Sequence, residues 1–144
     1  MDSLADHLPS STRAIRPSDP SDTSSFNADW VRVRPHILAA LEYVEGLYDE
    51  AHALKRTMSG ETVLWVGQSS AVIVEIIEYP TGRRSLVYWL AGGSLEELRD
   101  EMQPAIEHWA KQRYGADQAE FSGRRGWLRA LGFREQWTSG SKDL

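Results

Sequence analysis

The chain of 144 residues carries 41% hydrophobic and 26% charged types, a net charge of −5 and no cysteine, the make-up of a single globular domain. A chain of that length buries roughly 68 to 70% of its unfolded surface and needs no staple, and without cysteine it has no disulfide framework, thiolate metal site or cysteine nucleophile. The negative field repels phosphate backbones and argues against a nucleic-acid partner, while six tryptophans point to a dense core, a recognition surface, or both.

Residues 1–29 hold seven Ser, three Pro and five Asp and are expected to form a largely disordered leader, with one possible short strand at 12–16 stopped by Pro17. The opening MDSLADHLPSS lacks the basic and apolar regions of a signal peptide. No apolar stretch nears the roughly 20 residues of a membrane span. A protein of the cytoplasm, neither secreted nor membrane-spanning, is therefore expected. From Trp30 the composition turns apolar and charged, and residues 30–138 read as the folded domain, followed by a polar tail at 139–144. A helix is predicted from about Pro35 to Glu45, with proline in its first turn. A second amphipathic stretch follows through Leu47, Ala51, Leu54 and Met58 to a stop at Ser59-Gly60. The pattern then changes to strand, turn, strand, turn, strand over 62–66, 71–79 and 85–90, an antiparallel meander whose middle strand is apolar on both faces. Ser94 with Glu97 is a capping box opening a long helix to Tyr114-Gly115, which Pro104 should kink. A strand at 116–121, a short basic helix from Arg124 to Leu131 stopped by Gly132, and a last strand from Phe133 to Thr138 complete the order. The fold class is α+β, a single domain with a mixed, mostly antiparallel sheet and helices on both faces.

That order, read with Leu131-Gly132-Phe133-Arg134-Glu135, resembles the GNAT (acyl-CoA N-acyltransferase) fold across residues 12–138. Gly132 lets the chain leave the helix in a left-handed conformation, and Phe133 drops into the core. Leu64-Trp65, Glu75-Ile76-Ile77-Glu78-Tyr79-Pro80, Leu90-Ala91-Gly92-Gly93 and Gly123-Arg124-Arg125-Gly126-Trp127 are similar to the small GNAT-like proteins of tailed phages, related to podophage internal virion and assembly proteins. The resemblance implies acetyl-CoA held by backbone amides at a glycine-rich turn of the form Gln/Arg-x-x-Gly-x-Gly/Ala. Here Trp89-Leu90-Ala91-Gly92-Gly93 enters the helix at Ser94 without the opening Arg or Gln. Glu96 and Glu97 put negative charge where a phosphate would sit. The tyrosine that such enzymes use as a general acid is replaced by Leu128, with Tyr79 and Tyr88 the other tyrosines considered for that role.

Glu75, a carboxylate within an apolar strand, is the catalytic candidate if the chain is an enzyme, because desolvation raises a carboxyl toward the range of a general base. Gly92, Gly93 and Ser94 are then the cofactor-binding candidates, with acetyl-CoA as the cofactor. The competing reading of Glu75 is a structural ion pair. The four histidines His7, His36, His52 and His108 show no metal-ligand spacing, so no metal is expected. No serine sits in a nucleophile elbow. Arg124, Arg125, Trp127, Arg129 and Arg134 form the one dense basic run and are the partner-binding candidates, arginine forks with an aromatic anchor. Read the other way, Trp127 is buried and an acidic residue such as Glu107 compensates the arginines. The leading expectation is a GNAT-fold phage protein without catalysis or cofactor, a virion-associated or assembly module in host cytoplasm or virion with a protein partner, possible partners including phage structural proteins. The alternatives are an active N-acetyltransferase with Glu75 as base, and an adaptor or inhibitor of a host protein acting through the Arg124–Arg134 face.

Overall fold

The computed structural model describes Leu4 and residues 14–44, 46–122, 125–136 and 140–144. Its elements are β1 (Arg16–Ser18), α1 (Thr23–Leu41) with a 3₁₀ turn at Glu42–Val44, α2 (Glu50–Met58), β2 (Val63–Val66), β3 (Ser70–Glu78), β4 (Arg84–Gly93), α3 (Leu95–Glu97) continued by a π turn (Leu98–Met102) into α4 (Gln103–Tyr114), β5 (Gln118–Phe121) and α5 (Arg125–Ala130). The strands form one sheet in the order β1-β2-β3-β4-β5. The first three pairings are antiparallel and β4 with β5 is parallel.

Alternation along the strands splits the interior into two cores, as a sheet with period two requires. Val63, Trp65, Val72, Val74, Leu86 and Tyr88 pack with Leu98, Met102, Ile106 and Trp109 on one face. On the other, Leu64, Val66, Ala71, Ile73 and Leu90 pack with Phe26, Trp30, Val33, Ile37 and Ala53 of α1 and α2. The expected α+β class and the covered middle strand are both found. A bulge where Ile73 and Val74 of β3 face Leu90 and Tyr88 turns Trp89 and Leu90 toward the same core.

The N-terminal reading needs correction. Helix α1 begins at Thr23, capped by the Asp22 carboxylate accepting from Ser25 N–H at 3.3 Å, so Pro35 lies inside it and the boundary between 29 and 30 falls in mid-helix. Phe26, Trp30, Val33 and Ile37 are the stripe that drives this helix, and the exposed Ser24, Ser25 and Asn27, with the buried Asp29 among the apolar residues, hid the period. Pro35 is accommodated because the residue four back, Val31, is 73% exposed and its carbonyl can turn to water. Leu4 is buried, and its N–H donates to the Gly60 carbonyl at 3.1 Å. The short strand appears at Arg16–Ser18, with Pro17 inside it opposite Trp65, where an edge strand tolerates a missing N–H. Of the expected strand at 12–16, residues 12 and 13 lie outside those described.

Asp29 of α1 fastens β1. Arg16 grips its carboxylate with two nitrogens at 2.8 and 2.6 Å, and Ser18 Oγ donates at 2.6 Å. Burial opposes ionisation of Asp29, but the bonds from Arg16 and Ser18 outweigh it and hold its carboxyl below the usual aspartate range.

In α2 the buried face is Ala53 and Thr57, whereas Leu47 and Met58 of the expected stripe are 76% and 54% exposed. Thr57 Oγ1 donates to Ala53 O at 2.9 Å and meets Thr62 Oγ1 at 3.0 Å, which satisfies a buried hydroxyl outside the expected stripe. Where a kink at Pro104 was expected, a π turn at Leu98–Met102 precedes it, and Pro104 sits at the second residue of α4, where a missing N–H costs least. Residues 133–136 are not a strand, which corrects the expected last strand over its described part. Phe133 instead packs against the core, and residues 137–138 lie outside those described.

Candidate functional site

The turn from β4 into α3 is where the sequence places a cofactor. Gly92 is buried under α1, and a Cβ on it would lie 2.2 Å from the His36 carbonyl oxygen. Gly93 has φ +110°, and a Cβ there would lie 2.2 Å from the Ser69 carbonyl oxygen. The two glycines are thus required by contact with the chain's own backbone. Ser94 Oγ accepts from Glu97 N–H at 3.2 Å, the expected half of a capping box. The reciprocal half is missing, because Ser94 N–H donates to Ser69 O at 2.9 Å instead.

Glu97 turns outward to the β2–β3 turn. Its buried carboxylate accepts from Gln68 N–H at 3.1 Å, from Ser69 N–H at 2.9 Å and from the Ser70 hydroxyl. Gly67 leaves room for it, since a Cβ there would fall 2.2 Å from Glu97 Oε1. From α1, the Arg32 guanidinium donates to Gly67 O at 2.9 Å. Two amides at this end of the sheet, those of Gln68 and Ser69, are therefore bonded to an internal carboxylate.

Strands β4 and β5 pair from Ser85–Gln118 to Tyr88–Phe121, while β4 runs on to Gly93, so beyond Tyr88 β4 has no ladder partner on that side among the described residues. The turn after α5 fills the gap. Gly132, at φ +83°, ends the helix in the expected left-handed conformation, Phe133 N–H donates to Leu128 O at 2.8 Å, and the Phe133 ring meets Tyr88 edge-on at 5.9 Å. Gln103 Nε2 donates to Leu131 O at 2.8 Å. What remains is an apolar void of about 10 Å³ between Tyr88, Met102, Phe121, Leu131 and Phe133, room for about one water. Tyr88 donates to Glu107 Oε2 at 2.8 Å, and burial together with that carboxylate pushes its phenol far above the ordinary tyrosine range. The exposed-side Tyr79 donates to Glu120 at 2.7 Å and is raised by that bond. Both hydroxyls are committed to carboxylates and are weakened as acids.

On the opposite face Glu75 is half-buried and bonded to Arg56 of α2, whose guanidinium also reaches Glu61 at 3.2 Å and lies 4.6 Å over the Trp89 ring. Tyr48 and His52 stack at 5.3 Å, and both meet Trp89 edge-on. Glu75 is thus part of a structural ion pair, the competing reading of this residue. The sequence reading missed the aromatic corner around it. Its one signal is a four-residue recurrence of Tyr48, His52 and Arg56, masked by their unlike chemistry.

Comparisons with known proteins bear on the scaffold. No family model matches the chain, and no curated protein does. Among solved structures, a Thermus thermophilus protein aligns over 90% of this chain and 95% of its own, at 14% identity and a TM-score of 0.56. A protein named as an acetyltransferase from Agrobacterium tumefaciens aligns over 90% and 99%, at 12% identity and a TM-score of 0.51. Another so named from Clostridium acetobutylicum, solved with acetyl-CoA, aligns over 88% and 94%, at 12% identity and a TM-score of 0.51.

The chain has the GNAT fold.

Identity this low carries architecture and nothing of activity. Within this GNAT fold, Leu128 is half-buried at the place where the resemblance puts a tyrosine. In the basic run, Gly123 and Arg124 lie outside the described residues, as does the Arg125 side chain. Trp127 packs half-buried against the core, while Arg129 and Arg134 are exposed. Glu107, named as a compensating acid, is bonded to Tyr88. His36 is half-buried and His52 and His108 are exposed; His7 lies outside the described residues. Among the described residues no three His, Asp or Glu side chains gather as metal ligands, and no helix is long and apolar enough to cross a membrane.

Proposed function

We propose that this GNAT-fold chain has kept the scaffold without acyl transfer and acts as a protein-interaction module. The observation that carries this reading is the buried Glu97 carboxylate on the amides of Gln68 and Ser69, at the end of the sheet where the resemblance puts a diphosphate. The plugged gap between β4 and β5 and the committed hydroxyls of Tyr79 and Tyr88 support it. Catalysis by Glu75 would require breaking its ion pair with Arg56 first. For a partner, five of the seven large exposed apolar residues among those described, Val31, Leu38, Tyr43, Leu47 and Tyr48, lie on α1 and the connection to α2, with Met58 and Leu144 elsewhere, and exposed apolar residues gathered in one part of a chain favour a contact surface. A place in a phage particle or its assembly, in host cytoplasm or virion, rests on the motif resemblance alone.

Calorimetric titration of the intact chain with acetyl-CoA tests the reading. The expected result is no saturable heat. Saturable binding at micromolar affinity would overturn it in favour of an acyltransferase.

A further inference from the structure

We propose that the β2–β3 turn is a preformed oxyanion nest whose resident occupant is the chain's own Glu97, and that with this carboxylate removed the nest takes phosphate or pyrophosphate from solution. The inference rests on the reading above, that the intact turn is closed to a coenzyme, and it identifies what closes it. Consecutive backbone N–H groups aimed at one point form an anion-binding concavity whatever the anion is. Here Gln68 N–H and Ser69 N–H converge on one carboxylate, with the Ser70 hydroxyl as a third donor.

The nest does not depend on Glu97 for its shape. Gly67 N–H donates to Ser70 O at 2.9 Å and closes the turn from within. Arg32 holds the Gly67 carbonyl from α1, and Ser94 N–H holds the Ser69 carbonyl from the far side. Ser70 is paired with Gly93 in the ladder. With Glu97 shortened, those four attachments keep the donors aimed. The absent Cβ of Gly67 leaves a place for an oxygen where Oε1 now lies. The Arg32 guanidinium adds a positive charge beside the turn. The three donors reach two different oxygens of the one carboxylate, so a compact oxyanion with several oxygens satisfies this geometry where chloride offers one centre.

The test compares Glu97→Ala with the intact chain in sodium phosphate, sodium pyrophosphate and sodium chloride at matched ionic strength. In the variant, pyrophosphate is expected to raise the melting temperature saturably, by about 5 °C or more at high excess over its dissociation constant. The amide resonances of Gln68 and Ser69 are expected to move with the same saturation. The intact chain should show neither effect. Equal melting of the variant in all three salts with those resonances unmoved would overturn the proposal, as would equal movement of the resonances in the intact chain. Should the alanine variant fail to fold, Glu97→Ser removes the carboxylate while keeping a small polar side chain, and the same two resonances decide in the same way. Failure of the non-catalytic reading appears elsewhere, as acetyl-CoA binding to the intact chain.

Discussion

Replacing Asp29 by alanine removes the fastening between β1 and α1. Asp29 accepts three hydrogen bonds, two from Arg16 and one from Ser18, and its side chain is 7% exposed. Bonds to an ionised acceptor contribute about 1.5 kcal/mol each at the low end. The Arg16 side chain, 32% exposed, recovers water in the variant and offsets about one of them, which leaves about 3 kcal/mol, within the range for breaking a buried ion pair. For a chain of this size that is a fall of about 10 °C in melting temperature by circular dichroism. A double-mutant cycle with Arg16→Met should return a coupling energy of about 1 to 3 kcal/mol. The pH dependence has a definite sign. Because the folded-state carboxyl lies below its ordinary value, this contribution is present above the unfolded pKa of about 3.9 and is lost as pH falls through the folded value. Asp29→Asn should therefore lose less stability than the parent on acidification across that window. A melting temperature for Asp29→Ala within about 2 °C of the parent, well short of the loss expected for a buried pair, would refute this reasoning and restore residues 1–29 to a dispensable leader.

Deleting residues 1–28 removes β1 and the fully buried Phe26, and the shortened chain should lose its cooperative thermal transition; an unchanged melting curve would contradict the sheet order given above. Gly92→Ala drives a methyl group into the His36 carbonyl, a backbone atom that cannot swing aside, and should cost about 1 to 3 kcal/mol in urea unfolding, with a neutral result arguing against close contact of β4 and α1. In spectrophotometric titration Tyr88 should stay protonated until the protein unfolds, because burial and Glu107 raise its phenol. Its contribution to stability is full below the unfolded value of about 10 and is lost as pH rises beyond it. Tyr88→Phe should flatten that alkaline loss and cost about 1 kcal/mol at neutral pH.

The meander and the long helix were legible because their periods are strong and their ends carry glycine or a serine cap. Val63–Val66, Ser70–Glu78 and Arg84–Gly93 fall within a few residues of the stretches read from alternation. The start of α1 was not legible, since Phe26 and Trp30 are the only large apolar residues in its first two turns and the serine-rich surroundings read as leader. The candidate site was half legible. Gly92, Gly93, Ser94 and Glu97 were all marked by type and spacing, yet nothing in the chain order says that a turn at Gln68 and Ser69 would close over them. That requires knowing that β3 returns beside β4 in this register. Glu75 was found by its oddity in an apolar strand, while its partner Arg56 lies on a helix whose exposed face gave no sign of it.

Strand β1 precedes the other described strands in the chain and finds its neighbour only when the chain has reached Val66. Until then its residues have no ladder to join, and local helix formation by α1 runs ahead of it. Closing so wide a span before any contact repays the entropy is slow. The Arg16–Asp29 clasp joins the strand to α1 across 13 residues, a far shorter loop than the one from Arg16 to Val66, and so carries the smaller closure entropy of the two.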